Sequence, residues 1–245
     1  MVITAGSKYL YDRCLAFPSS LAGGDGDWTC MGTGQTSMDY LYRNTSIVRS
    51  IINEMKPFRS DTVLLIVANP VDLMTSLAKE LSNLPSAKVL DSGTFLDSIR
   101  LRGLLADETG LAPNSLDLYV LRTHGDSAAA ACSCAAVGGV PLKEALGLEK
   151  RVEESLVEEC KHRSQSIVRA KGATTFGIGS IVCSICASVL LDRHNARPVS
   201  RYQPQHGCCY QLACCTGEEG RCGDISRPAV SGGAGKDCAV GGSIE

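Results

Sequence analysis

The chain has 245 residues, 26 acidic and 24 basic side chains and a net charge of −2, enough length to bury a substantial core. No basic stripe or Lys/Arg cluster is present, so no nucleic-acid partner is expected. No apolar run approaches the roughly 20 residues that cross a bilayer, and "MVITAGSKYL" lacks a basic-then-apolar leader pattern; a cytoplasmic protein with no membrane partner is expected.

The Val-Ile-Thr-Ala-Gly opening is followed by residues 7–35, a Gly/Ser-rich stretch without periodicity. Within it, "GTGQTS" (Gly32 to Ser37) has no apolar strand before it, so it reads as loop and not as a phosphate cradle. "MDYLYRNTSIVRSIINEMKPF" carries Leu41, Ile47, Val48, Ile51, Ile52 and Met55 at near-helical spacing and predicts a helix. "TVLLIVANP" is a continuous apolar strand of the kind a parallel sheet buries on both faces. Asn69 is a favoured N-cap and Pro70 a favoured first helical residue, so "VDLMTSLAKELSNL" is expected to be helical at once. Its buried face would be Val71, Leu73, Met74, Leu77, Ala78 and Leu81. The strand "AKVLDSG" completes a strand–helix–strand unit, which predicts an α/β fold with a parallel sheet.

Further along, "GTFLDSIRLRGLLADETGLAP" reads as a helix with a Gly-Leu-Ala-Pro stop. The strand "LDLYVLRT" then leads through the turn "HGD" into the small-residue strand "SAAAACSCAAVGGVPL". A helical pattern runs from about Glu149 to Asp192, with a break near Lys171-Gly172. From Arg201 onward the chain is rich in Gly and Cys without helical or strand period, and no regular structure is expected there. The domain division that follows is 1–92, 93–200 and a disordered tail over 201–245.

Thirteen cysteines, an odd number without a leader, do not make a disulfide framework. Cys183 and Cys186 read as buried helix cysteines, and Cys132 and Cys134 as strand cysteines. Cys208-Cys209 and Cys214-Cys215 are adjacent pairs, not CxxC, so no metal site is expected.

Chemistry is concentrated in four segments. Asp97 and Arg100 are three residues apart on one helix face, and a guanidinium there offers a planar fork to a carboxylate. His124 sits in the turn after a strand, where a facing carboxylate would set its tautomer and raise its pKa. Asn69 ends a strand and Thr174 stands at a helix break. On spacing alone, a solvated Asp97–Arg100 pair and a plain turn histidine are the favoured explanations.

Together "VITAG", "LLIVANPVD", "DSGTFLDSIRLR", "YVLRTHGDS" and "KGATTFGIG", in this order, resemble the lactate/malate dehydrogenase family on its L-lactate dehydrogenase side. The resemblance covers most of residues 1–6 and 36–200. It implies a Rossmann-type parallel sheet followed by the family's α+β C-terminal domain. It also implies hydride transfer between NAD and a small 2-hydroxy or 2-oxo acid, lactate or pyruvate, and association with like subunits. By the same resemblance His124 is the proton donor or acceptor, Asp97 its carboxylate partner, and Arg100 the grip on the substrate carboxylate. Asn69 would lie between substrate and nicotinamide, Thr174 would line the substrate pocket, and Thr4, Ala5 and Gly6 would lie along the cofactor.

The resemblance has gaps. It begins downstream of the G-x-G-x-x-G unit that cradles a pyrophosphate, which implies an incomplete dinucleotide-binding domain. The loop after "VITAG" places Ser37 where the family has an arginine that polarises the substrate carbonyl, a charge a serine does not supply. After "RPVS" the family's strands and last helix give way to the Gly/Cys-rich tail, as a shifted frame would produce. The alternative functions are therefore a catalytically inactive fragment or interaction protein that cannot bind NAD and, more remotely, a thiol- or metal-rich tail module.

Overall fold

The computed structural model describes residues 2–5, 37–121, 129–147, 150–171, 175–203 and 208–216. In chain order these form β1 (Val2–Ala5), α1 (Ser37–Glu54), β2 (Val63–Ile66), α2 (Val71–Ser82), β3 (Val89–Asp91) and α3 (Phe95–Thr109). Short strands follow: β4 (Leu116–Asp117), β5 (Val120–Leu121), β6 (Ala129–Ala130), β7 (Ala136–Val137) and β8 (Val140–Pro141). The chain continues through α4 (Leu142–Leu146), α5 (Lys150–Lys171), α6 (Thr175–Leu190), β9 (Asn195–Gln203) and β10 (Cys208–Thr216). The residues called His124, Thr174 and Gly6 above, the stretch 7–35 and the tail from 217 lie outside the described residues.

A five-stranded sheet in the order β1-β2-β3-β9-β10 organises the α/β core. β2 explains its layering. Side chains alternate across a strand, and all of Val63, Leu64, Leu65 and Ile66 are buried, so both faces must be covered. Val63 and Leu65 pack with Leu90, Phe95, Val199 and the α6 residues Ile181, Val182, Ile185 and Val189. Leu64 and Ile66 pack oppositely with Val48, Ile51 and Ile52 of α1 and Met74 and Ala78 of α2. Burying one such aliphatic side chain is worth about 1.5–3 kcal/mol, so the alternation decides which helix lies on which face. A third cluster joins Leu101 and Leu105 of α3 to Leu116, Leu118, Val120, Leu142, Leu156 and Cys160.

Several expectations need correction. The sheet is mixed: among the described residues only β2 and β3 pair in parallel, while β1 with β2, β3 with β9 and β9 with β10 are antiparallel. Local sequence carries apolar pattern but not strand direction, which is set by the connections. The tail contains structure: β9 extends to Gln203, and Cys208–Thr216 pairs with it from Cys208↔Gln203 to Thr216↔Asn195. Backbone pairing with a neighbour needs no hydrophobic period of its own.

"LDLYVLRT" is split into β4 and β5, and Cys132–Cys134 form a 3-10 turn instead of strand, with Cys134 exposed. Cys183 is on a helix as expected but is exposed, and Cys186 is half-buried. Leu73 points outward at 53% exposure; the helix buries Thr75 and Ser82 instead, alongside Val71, Met74 and Ala78. Pro70, not Asn69, occupies the N-cap of α2, without a side-chain capping bond.

Candidate active site

α3 carries the two candidate site side chains that the sequence placed on one face. Arg100 Nη1 lies 3.6 Å from Asp97 Oδ1, and both side chains are nearly buried, at 11% and 13% exposure. Cys160 of α5 donates from Sγ to the Asp97 carbonyl at 3.4 Å. Burial, reinforced by the Asp97 charge, pushes the Cys160 thiol up to about 11, so this thiol supports α3 from beneath and carries no thiolate at neutral pH.

The helix is fixed against the strand that leads into the His124 segment. Thr94, directly before α3, makes no capping bond; its hydroxyl donates to the Val120 carbonyl. Ser98 Oγ accepts from the Val120 N–H at 2.9 Å and donates to the Thr94 carbonyl at 2.9 Å. Arg102 Nε donates to the Leu118 carbonyl at 2.8 Å, with its guanidinium 4.8 Å from the centre of the Tyr119 ring. Both backbone polar groups of Val120 are thus tied to side chains at the start of α3, Thr94 at its N-cap and Ser98 in its first turn. β5 ends at Leu121, and His124 follows beyond the described residues.

This clamp predicts that Ser98→Ala, which leaves the buried Val120 N–H without that acceptor, costs about 1–3 kcal/mol of stability. Urea denaturation of the two chains checks the loss, and an unchanged midpoint would count against the clamp.

The turn into α3 is equally constrained. Gly93 has φ +50°, and a Cβ added there would sit 2.3 Å from the Pro198 carbonyl oxygen. Its N–H donates to Asp91 Oδ1 at 2.7 Å. Asp91 is wholly buried, and burial, with the neighbouring Asp72 charge, raises its pKa to about 7.

Asn69 lies at the C-terminal end of the β2 segment and is exposed. Its carbonyl accepts from Asn44 Nδ2 at 2.6 Å, and Asn44 is itself buried on α1. Thr4 and Ala5 are placed elsewhere: β1 pairs Thr4 with Leu64 and Ala5 with Val63. The C-terminal end of β1 therefore lies beside the N-terminal end of β2, away from Asn69. A dinucleotide site in an open α/β sheet uses the crevice beyond the carboxyl ends of parallel strands. Thr4, Ala5 and Asn69 do not meet that requirement together in this sheet.

The sequence placed Asp97 and Arg100 on one helix face, where they lie against each other, but did not single out Asn44, Asp91, Thr94 and Ser98. Thr94 and Ser98 carry a weak signal, hydroxyl residues four apart at a helix start, which reads as capping. Asn44 and Asp91 carry none, because their partners are distant in sequence.

Comparison with known proteins agrees with this architecture. Residues 29–91 match the family model for the lactate/malate dehydrogenase NAD binding domain, and residues 94–239 match that for the lactate/malate dehydrogenase alpha/beta C-terminal domain. The L-lactate dehydrogenase A of Rhizopus oryzae is 37% identical over 179 residues, covering 73% of this chain and 56% of that protein. The L-lactate dehydrogenase of Kosmotoga olearia is 38% identical over 174 residues, covering 68% of this chain and 54% of that protein. The chain thus spans about half the length of these curated relatives. The crystal structure of a minor L-lactate dehydrogenase from Enterococcus mundtii in a ligands-bound form superposes with a TM-score of 0.76 at 30% identity. That match covers 83% of this chain and 68% of the other. With the C-terminal family model spanning more than half its residues, the chain belongs to the lactate/malate dehydrogenase family.

Proposed function

We propose that the chain binds a small 2-oxo or 2-hydroxy acid through Arg100 and that His124 is the proton donor or acceptor at the acid's C2 oxygen. The Arg100 guanidinium offers two parallel N–H donors to a carboxylate, a geometry a lysine does not reproduce. In its nearly buried setting those bonds are stronger than on an open surface. Asp97 supplies the negative charge that holds an imidazole in one tautomer and favours its protonated form. A protonated His124 then gives its proton to a carbonyl oxygen, and a neutral His124 takes one from a hydroxyl.

The observation that carries this reading is the Thr94–Ser98–Val120 clamp. It sets the helix bearing Asp97 and Arg100 against the strand that continues toward His124. Thr174 and Gly6 enter the proposal through family resemblance alone, as substrate-pocket and cofactor-side residues. The family matches imply an oxidoreductase that takes NAD as hydride carrier. The antiparallel β1 favours a second reading, in which the chain holds the acid but does not turn it over.

Calorimetric titration with pyruvate, alone and with NADH, together with NADH absorbance, tests both. Saturable pyruvate binding is expected. NADH consumption then selects the enzyme, bound pyruvate without consumption selects the second reading, and absence of pyruvate binding overturns both.

A further inference from the structure

Asp91 has no role in the chemistry above, yet it is a wholly buried carboxyl at the junction of four elements. Its Oδ1 accepts from the Gly93 N–H at 2.7 Å and from the Ser200 N–H at 3.1 Å. Its Oδ2 lies 3.0 Å from Thr75 Oγ1, and that hydroxyl is also 2.8 Å from the Val71 carbonyl. A threonine hydroxyl has one proton, and a carbonyl can only accept. Both Thr75 contacts are full hydrogen bonds only when the second proton belongs to Asp91. Next to it, Asp72 Oδ1 accepts from Ser200 Oγ at 2.8 Å, so a charged Asp91 would face a second carboxylate through the same serine.

We propose that Asp91 works as a neutral carboxylic acid, donating from Oδ2 to Thr75 and accepting at Oδ1 from Gly93 and Ser200, so that one proton latches α2, β9 and the turn into α3 together. Asp91 is thereby a positioning residue for the helix that carries Asp97 and Arg100.

The surrounding charges favour the neutral form. β1, β2 and α6 contain no Asp, Glu, Lys, Arg or His. α2 contributes Asp72, while its Lys79 and Glu80 pair with each other at 3.0 Å. α3 contributes Asp97 and Arg100, which face each other, and Arg102, held on Leu118. β9 contributes Arg201, in register with Leu90, and Arg197, whose guanidinium is 4.6 Å from the Phe95 ring centre. Asp72 is the charge that adds to burial in raising the Asp91 pKa to about 7.

An unfolded aspartate titrates near ~3.9, so the folded chain holds the extra proton between that value and about 7. The latch therefore contributes fully below the unfolded pKa, and its contribution is lost as pH rises through the folded one.

Asparagine mimics the protonated acid, with an NH2 for Thr75 and a carbonyl for the two N–H groups. The melting temperature of Asp91→Asn relative to the parent chain is expected to rise by about 5 °C or more between about pH 5 and about pH 8. A difference that stays flat with pH overturns the latch. Infrared spectra of the parent chain give a second readout: a protonated-carboxyl band lost with a midpoint near 7, which Asp72→Asn moves to lower pH by roughly one unit. No such band at about pH 5.5, or a midpoint that ignores Asp72→Asn, overturns the proposal even where Asp91→Asn fails to fold.

Discussion

Replacing Gly93 with alanine is expected to destabilise the chain by about 2–5 kcal/mol, measured as a shift in the urea midpoint with an unchanged slope. Two independent costs combine. The residue has φ +50°, a conformation that costs an L-residue with a Cβ about 1–2 kcal/mol. The new methyl would also lie 2.3 Å from the Pro198 carbonyl oxygen and 2.9 Å from the Val199 Cα. Both are backbone atoms of the strand paired with β3, so no side chain can swing aside. Relieving the overlap means parting β9 from the turn, at about 1–3 kcal/mol for an overpacked site. It would also disturb the N–H groups of Gly93 and Ser200, which share Asp91 Oδ1. A Gly93→Ala chain as stable as the parent would show that β9 does not press on this turn.

Arg100→Lys is expected to do the opposite, sparing the fold and weakening the binding of a carboxylate substrate. Lysine keeps a positive charge beside Asp97, so the nearly buried pair is not broken into a lone carboxylate, the change that costs most in such settings. What disappears is one of two parallel N–H donors. A hydrogen bond to a charged group is worth about 1.5–3 kcal/mol, so pyruvate affinity should fall roughly 10- to 100-fold. Calorimetry measures the loss, and a parallel urea titration shows that stability is retained. Undiminished affinity would remove Arg100 from the proposed grip on the acid.

The helices of this chain were legible because their apolar positions recur with the helical period. Val48, Ile51 and Ile52 of α1, and Met74 and Ala78 of α2, are buried where the pattern puts them. Asp97 and Arg100 were legible because an i, i+3 spacing fixes a shared face whatever the tertiary context. Strand direction was not: the same Val2–Ala5 segment could pair either way, and only the assembled sheet sets Ala5 against Val63. β10 was hidden for a related reason. Its stability comes from the ladder it forms with β9, and a composition rich in cysteine and glycine around it masks that capacity. Asp91 carries no signal of its own in the sequence. Its burial depends on Thr75 and Ser200, which arrive from other elements. The segment with His124 and Thr174 was readable through motif resemblance alone, and both residues remain part of the proposed site.

The bond between Asp91 and Ser200 spans 109 residues, and it has a consequence for the order of assembly. During synthesis β2, α2 and β3 emerge well before β9, and their parallel pairing and the packing of Met74 and Ala78 need nothing further along the chain. β3 then waits with one edge unsatisfied while α3, the short strands and α5 and α6 are made. Contacts of such sequence separation close late and slow the search for the native state. Until β9 arrives, the exposed edge of β3 can capture any other free strand. The last third of the chain therefore acts as the closing strap of a sheet begun in the first, and a ribosome stalled before β9 would release a nascent chain with an open edge.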